Sequence, residues 1–191
     1  GAYTTGSANV VVGSQAVTGN GTRWDMYISS GQVFKLISGN VFYDIASVVS
    51  SQAITLTARY SDTSRQTARK TEHVATLNLA TKTYSGTVDY MPVIMSTFNI
   101  IASNVKWSDN GAGVLATVAG AGTGKVGTLN YDTGLWTVSV NATTALTAVN
   151  ITATYSSGNT LNSMPYQIVT DYTPNYDIPE VGVGDANTNY I

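Results

Sequence analysis

The sequence predicts an all-β chain, built as two small antiparallel β-sandwich or barrel modules followed by an extended C-terminal arm. Three features predict it. Apolar and polar residues alternate in short runs. Clusters of Gly, Asn, Asp and Ser separate those runs at intervals of about 8–12 residues. No stretch carries a sustained helical period, and residues 93–102 are the one place where a short helix would fit. The 191 residues have room for one domain, or for two of roughly 75 residues each.

The first module is expected over residues 1–80. Val10 to Val12 and Ala16 to Thr18 flank Gly13-Ser14. Gln32 to Ile37 and Val41 to Val49 flank Ser38-Gly39-Asn40, whose residues tolerate positive φ. Alternation places Val41, Tyr43, Ile45 and Val49 on one face, with Phe42, Asp44 and Val48 on the other. After Ser50-Ser51-Gln52, Ile54 and Leu56 face opposite to Thr55 and Thr57. Val74 to Leu79 is read as the closing strand.

The second module, a β-sandwich of immunoglobulin-like kind, is expected over residues 81–160. Val105 and Trp107 lead into the turn sequence Asp109-Asn110-Gly111. Val114 to Val118, a glycine-rich connection, Val126 to Tyr131, the turn Asp132-Thr133-Gly134 and Leu135 to Val140 follow. Trp136, Val138 and Val140 share one face, and Val149, Ile151, Ala153 and Tyr155 share another. Threonine at the intervening positions suits an outer face, because it is β-branched and polar.

From Leu161 the alternation fails, and residues 161–191 are read as the arm. Pro165, Pro174 and Pro179 punctuate Tyr166, Ile168, Tyr172, Tyr176, Ile178, Val181 and Tyr190. Proline at that spacing opposes central-strand pairing, yet the segment is too apolar for a solvated linker. Two readings stay open: the arm folds back over its own modules, or it crosses to a neighbouring copy and adds a strand there. All nine Lys and Arg lie at or before Lys125, whereas the remainder holds five acids and no base. That asymmetry attracts arm to body within a chain or between chains alike.

Composition excludes several chemistries. Charged residues are 10% of the chain, against about 25% in an average soluble protein. With no Cys and one His, disulfide scaffolds, thiol catalysis and zinc ribbons fall away. A formal net charge of −2 makes no electrostatic case for nucleic acid. The apolar run from Met91 to Ala102 is too short to span a membrane, and no secretion signal is visible at Gly1-Ala2-Tyr3. The expectation is therefore a non-enzymatic protein without cofactors or metals, assembled inside a cell.

Chemistry-like motifs have simpler explanations. Gly120-Ala121-Gly122-Thr123-Gly124-Lys125 lacks the first Gly and the Ser or Thr of a phosphate loop, and a strand follows it. Asp185-Ala186-Asn187 begins like a calcium loop but has no Glu to complete it. His73 sits among charges, and no nucleophile elbow accompanies it. Arg59, Arg65, Arg69 and Lys70 form a basic patch, read either as a solvated strand edge or as a docking surface for an acidic partner. Trp24, Trp107 and Trp136 could line a sugar site, but Trp136 is in phase with core positions, so packing is the expectation for all three.

Residues 7–57 contain Val17-Thr18-Gly19-Asn20-Gly21-Thr22-Arg23-Trp24, then Ile45-Ala46-Ser47-Val48, then Thr55-Leu56-Thr57. This order resembles a β-module of tail-fibre and other tail-associated proteins of tailed bacteriophages. Gly127-Thr128-Leu129-Asn130-Tyr131-Asp132-Thr133-Gly134 is similar to a strand-turn of phage structural proteins. The resemblance covers about two thirds of the chain and carries no catalytic residue. It implies a virion component, assembled in the host cytoplasm, whose partners are copies of itself and other virion proteins. The chain is too short for a fibre shaft plus a receptor tip. The resemblance thus points to a neck or collar, baseplate or fibre-attachment protein that forms a symmetric oligomer through its arm. The alternatives are a capsid decoration protein and a carbohydrate-binding module for a host glycan.

Overall fold

The computed structural model describes residues 1–72, 76–78, 80–102, 105–120, 124–140 and 151–170, and its architecture is nearly all β. The first unit begins with β1 (Ala2–Tyr3), β2 (Ser7–Val11) and β3 (Ala16–Asn20), followed by α1 (Trp24–Tyr27). It continues with β4 (Val33–Leu36), β5 (Tyr43–Ser50) and β6 (Ala53–Leu56). A 3-10 turn at Thr63–Arg65 leads into the second unit, which opens with β7 (Gln66–Glu72), β8 (Thr76–Asn78) and β9 (Thr83–Thr87). Then come β10 (Asn99–Ala102), β11 (Val105–Asp109), β12 (Val114–Ala119), β13 (Gly124–Leu129), β14 (Leu135–Val140) and β15 (Ile151–Gly158). The last two strands, β16 (Thr160–Met164) and β17 (Tyr166–Val169), return to the first unit.

The first sheet has the order β1-β17-β4-β5-β6-β3-β2-β16. Its two ends are one ribbon. β1 runs into β2 across residues 4–6, and β16 runs into β17 across Pro165 alone. Antiparallel pairing runs through both halves, from Ala2 opposite Val169 and Tyr3 opposite Ile168 to Val10 opposite Leu161 and Val11 opposite Thr160, with a register shift between Leu161 and Met164. The sheet therefore closes on itself as a barrel through that ribbon, with β1 and β16 each left with a single strand neighbour. Pro165 stands where the strand changes neighbours. It has no N–H to satisfy, and its carbonyl accepts from Ile37 N at 2.9 Å. The irregularity before it is met by a side chain: Ser163, at φ +54, donates its N–H to Asn9 Oδ1 at 2.7 Å.

The second sheet has the order β7-β15-β10-β11-β12-β13-β14-β9-β8. β7 and β8 occupy its opposite ends but are separated by only three residues of chain, 73–75. Four Cα steps span at most about 15 Å, so the sheet must wrap round its core. The interior holds Trp107, Leu115, Trp136, Val138, Phe98, Ile100 and Tyr155. A separate core fills the first barrel, with Trp24, Phe34, Leu36, Ile45, Ile54, Leu56, Tyr166 and Ile168.

Several expectations are corrected here. The module boundary near residue 80 lies instead at Arg65/Gln66, and the second unit (66–158) is an insertion in the first. The chain enters and leaves it side by side: Gln66 pairs with Gly158, and Asn159 N donates to Arg65 O at 3.0 Å. The arm expected from Leu161 does not begin there, because residues 160–169 are barrel strands. Tyr166 and Ile168, expected on a partner-facing arm, are 2% and 0% exposed in their own core. A single proline at a crossover tolerates strand on both sides, and this is what the spacing rule missed. Val49 points to solvent at 66% exposure, whereas Val48 packs on the core. Register shifts within the β5–β6 pairing invert the phase after Ile45. Residues 93–102 form no helix; Val93 makes a bridge to Ser157 and β10 follows.

Candidate functional site

The basic patch expected from the sequence is divided by the fold. After β6 the chain zips back along residues 13–15, with Tyr60 N donating to Ser14 O at 2.8 Å and Gly13 N to Tyr60 O at 2.7 Å. That path turns Arg59 toward the second unit. Its guanidinium donates to Gly13 O at 2.8 Å, and to Asp132 Oδ1 and Oδ2 at 2.7 and 3.1 Å. It also lies over the Tyr131 ring, 5.1 Å from the centroid. A planar fork that meets both carboxylate oxygens fixes direction as well as distance.

The receiving side is held just as firmly. Asn130 Oδ1 accepts from Asp132 N and Thr133 N, each at 3.0 Å, so the turn that carries Asp132 is side-chain capped. The Tyr131 hydroxyl donates to the buried Asp109 Oδ1 at 2.7 Å and accepts from Gly113 N at 2.8 Å. Burial, followed by the hydrogen bond to Asp109, pushes the Tyr131 phenol up to about 12. Arg59, Tyr131, Asp132 and Asp109 thus clamp the inserted unit to its host barrel. The sequence marked the turn but not this pairing, since the partners are 73 positions apart.

The other patch residues face different ways. The Arg69 guanidinium stacks on Tyr90, 3.7 Å from the ring centroid, and its Nε donates to Ser157 Oγ at 3.1 Å. There it covers the margin of the second core next to Tyr155. Arg65 and Lys70 are exposed. The four residues therefore do not converge on one docking face.

Of the arm residues, Tyr166 lies in a buried polar chain. Its hydroxyl accepts from Trp24 Nε1 at 3.0 Å and donates to Thr5 O at 2.6 Å. Burial, partly offset by the Trp24 hydrogen bond, pushes this phenol up to about 12. Tyr172, Tyr176, Ile178, Val181 and Tyr190 lie outside the described residues, as do His73 and Asp185. Trp24, Trp107 and Trp136 are all interior, at 0%, 0% and 2% exposure, so none stacks on a sugar. Among the described residues no helix is long and apolar enough to cross a membrane.

The resemblance motifs are occupied with folding. A Cβ on Gly19 would collide with Thr22 and Trp24, so glycine lets the barrel end close over the indole. A Cβ on Gly127 would meet the Thr137 carbonyl. Comparison with protein-family models, curated proteins and solved structures finds no match to this chain.

Proposed function

We propose that this chain is a non-enzymatic structural component of a tailed-bacteriophage particle, of neck or collar, baseplate or fibre-attachment kind. Capsid decoration is the alternative position. In this reading the chain works as a rigid block repeated in a symmetric assembly. The observation that carries it is how the resemblance motifs are used. Gly19, Trp24, Gly127, Asn130, Tyr131 and Asp132 are all engaged in building one barrel, one turn and the clamp between units. A protein whose distinctive residues go into holding two bodies in fixed relation suits a load-bearing part.

The partner-binding element is the sequence after Thr170. Thr170 N donates to Gly1 O at 3.1 Å, so that sequence starts from a fixed point beside β1. It carries Tyr172, Tyr176, Ile178, Val181 and Tyr190 with four acids and no base, a composition suited to burial against another copy.

Light scattering on the full chain and on a chain ending at Thr170 tests this. The full chain is expected to form a discrete oligomer, and the shortened chain a folded monomer. Full-length protein that stays monomeric at high concentration overturns assembly through this segment.

A further inference from the structure

The chain contains two Asn-Gly pairs, Asn20-Gly21 and Asn110-Gly111, and the fold treats them in opposite ways. Such a pair can cyclise when the glycine nitrogen, having lost its proton, attacks the side-chain carbonyl carbon of the asparagine. Glycine hinders that attack least of all residues, because it has no Cβ. In a folded chain the outcome turns on whether the carboxamide is held, whether the glycine N–H is engaged, and whether the backbone between them can rotate.

At Asn110-Gly111 every one of these is blocked. Asn110 Oδ1 accepts from Ala112 N at 2.9 Å and from Val114 N at 3.3 Å, and Asn110 N donates to Val114 O at 3.1 Å. Gly111 N donates to Asp109 Oδ1 at 3.0 Å. That carboxylate is buried and is fixed in turn by Ser96 N at 2.7 Å and by the Tyr131 hydroxyl. Removing the Gly111 proton would place a second negative charge against Asp109, which opposes its loss.

Asn20-Gly21 lacks these restraints. Both residues are exposed, and Gly21 stands at φ +68 just past the end of β3. Among the described residues neither the Asn20 carboxamide nor the Gly21 N–H has a hydrogen-bond partner. Gly19 N donates to Gln52 O at 2.8 Å and Thr22 Oγ1 to Ser51 O at 2.6 Å, so the pair forms a loose step between two anchored neighbours. Asn20 is the last residue of its strand and faces Ser7. Rotation about Asn20 therefore opens a terminal pair, and strand ends open at little cost.

We infer that Asn20 is a site of spontaneous deamidation and that the fold protects Asn110 from the same reaction. The Gly21 nitrogen forms a bond to the Asn20 side-chain carbon, and the carboxamide nitrogen departs as ammonia with the proton that Gly21 gave up. Water then opens the cyclic imide at either carbonyl and leaves aspartate or isoaspartate at position 20, with no oxidation or reduction. The isoaspartyl product lengthens the backbone by one methylene where room is short. A Cβ on Gly6 would already collide with the carbonyls of Asn20 and Gly21, and the adjoining Thr5 carbonyl holds the Tyr166 hydroxyl. Conversion at this position therefore loosens the barrel end that encloses Trp24.

The test is peptide mapping by mass spectrometry of the full chain, aged in mildly alkaline buffer both folded and unfolded in urea. In the folded protein the peptide carrying Asn20 is expected to gain nearly one dalton and to split into aspartyl and isoaspartyl peaks. The peptide carrying Asn110 should convert at least about tenfold more slowly, since one or two hydrogen bonds must break first. In urea the two rates should converge. Asn20→Gln keeps a carboxamide but cyclises far more slowly, so it should abolish the mass gain in a folded chain. Equal rates at the two sites of the folded protein, or conversion at Asn110 alone, overturn the inference. A rate difference that survives in urea overturns it too, because it would then lie in the local sequence and not in the fold.

Discussion

The indole of Trp24 donates to the hydroxyl of Tyr166 at 3.0 Å, across 142 positions of sequence. Their rings meet edge to face, with centroids 5.7 Å apart and planes at 82°. Trp24 opens the short helix at the barrel end, and Tyr166 opens the last strand, which arrives only after the whole inserted unit. The contact therefore joins the start of the host barrel to its completion.

Tyr166→Phe leaves Trp24 Nε1 and Thr5 O without their partner in a dry interior. The expected cost is about 1–3 kcal/mol, and the midpoint of thermal unfolding should fall by roughly 2–4 °C per kcal/mol for a chain of this size. Calorimetry or tryptophan fluorescence measures it. An unchanged midpoint would show that water replaces the phenol at no cost.

The Arg59–Asp132 pair predicts a measurable coupling between units. Arg59 is mostly covered at 16% side-chain exposure, but Asp132 is 59% exposed, so solvent screening holds the pair energy to about 1 kcal/mol or less. A double-mutant cycle with Arg59→Ala and Asp132→Asn should return that value in dilute buffer and close to none in high salt. Arg59→Lys should recover little, because an ammonium cannot reach Gly13 O and both carboxylate oxygens together.

Gly158 marks the return crossing from the inserted unit. A Cβ there would collide with the carbonyl of Val12, which belongs to the host barrel, so backbone rather than a yielding side chain must shift. Gly158→Ala is expected to destabilise by about 3 kcal/mol or more. Soluble yield and a urea melt report it, and a stability loss below about 1 kcal/mol would contradict the close approach.

Alkaline pH should weaken the fold through Tyr131 and Tyr166. Both folded-state values are raised to about 12 from an ordinary 10. Each phenol therefore keeps its proton more tightly folded than unfolded. Their contribution is fully present below pH 10 and is lost as pH rises toward 12. Within that window each group accounts for about 1.4 kcal/mol per pH unit. Urea midpoints measured from pH 9 to 12 should fall, and Tyr166→Phe should flatten the fall. A flat profile in the parent protein refutes the assignment.

A chain ending at Ser157 loses β16 and β17, so the host barrel cannot close. Circular dichroism and proteolysis should show an unfolded first unit, whereas a chain ending at Thr170 keeps both cores. Retained protection of residues 1–60 in the shorter chain would show that the barrel stands without its closing ribbon.

Local patterns were legible where neighbours along the chain suffice. Trp136, Val138 and Val140 point inward as their alternation requires, and Asp109-Asn110-Gly111 and Asp132-Thr133-Gly134 are turns because Asn, Asp and Gly cap them locally. The phase of β5 was not legible after Ile45, since a bulge depends on what the partner strand demands.

By itself the sequence determined an antiparallel all-β chain, its turns and most of its inward-facing residues, because strand period and turn chemistry act over a few residues. Tertiary structure alone decided that residues 160–169 seal the first barrel and that the second unit is inserted within it. It also decided that Arg59 reaches Asp132. Those outcomes follow from pairing between distant segments, where the free energy comes from closing a sheet and burying two cores, and local pattern carries no record of which edge a strand will find.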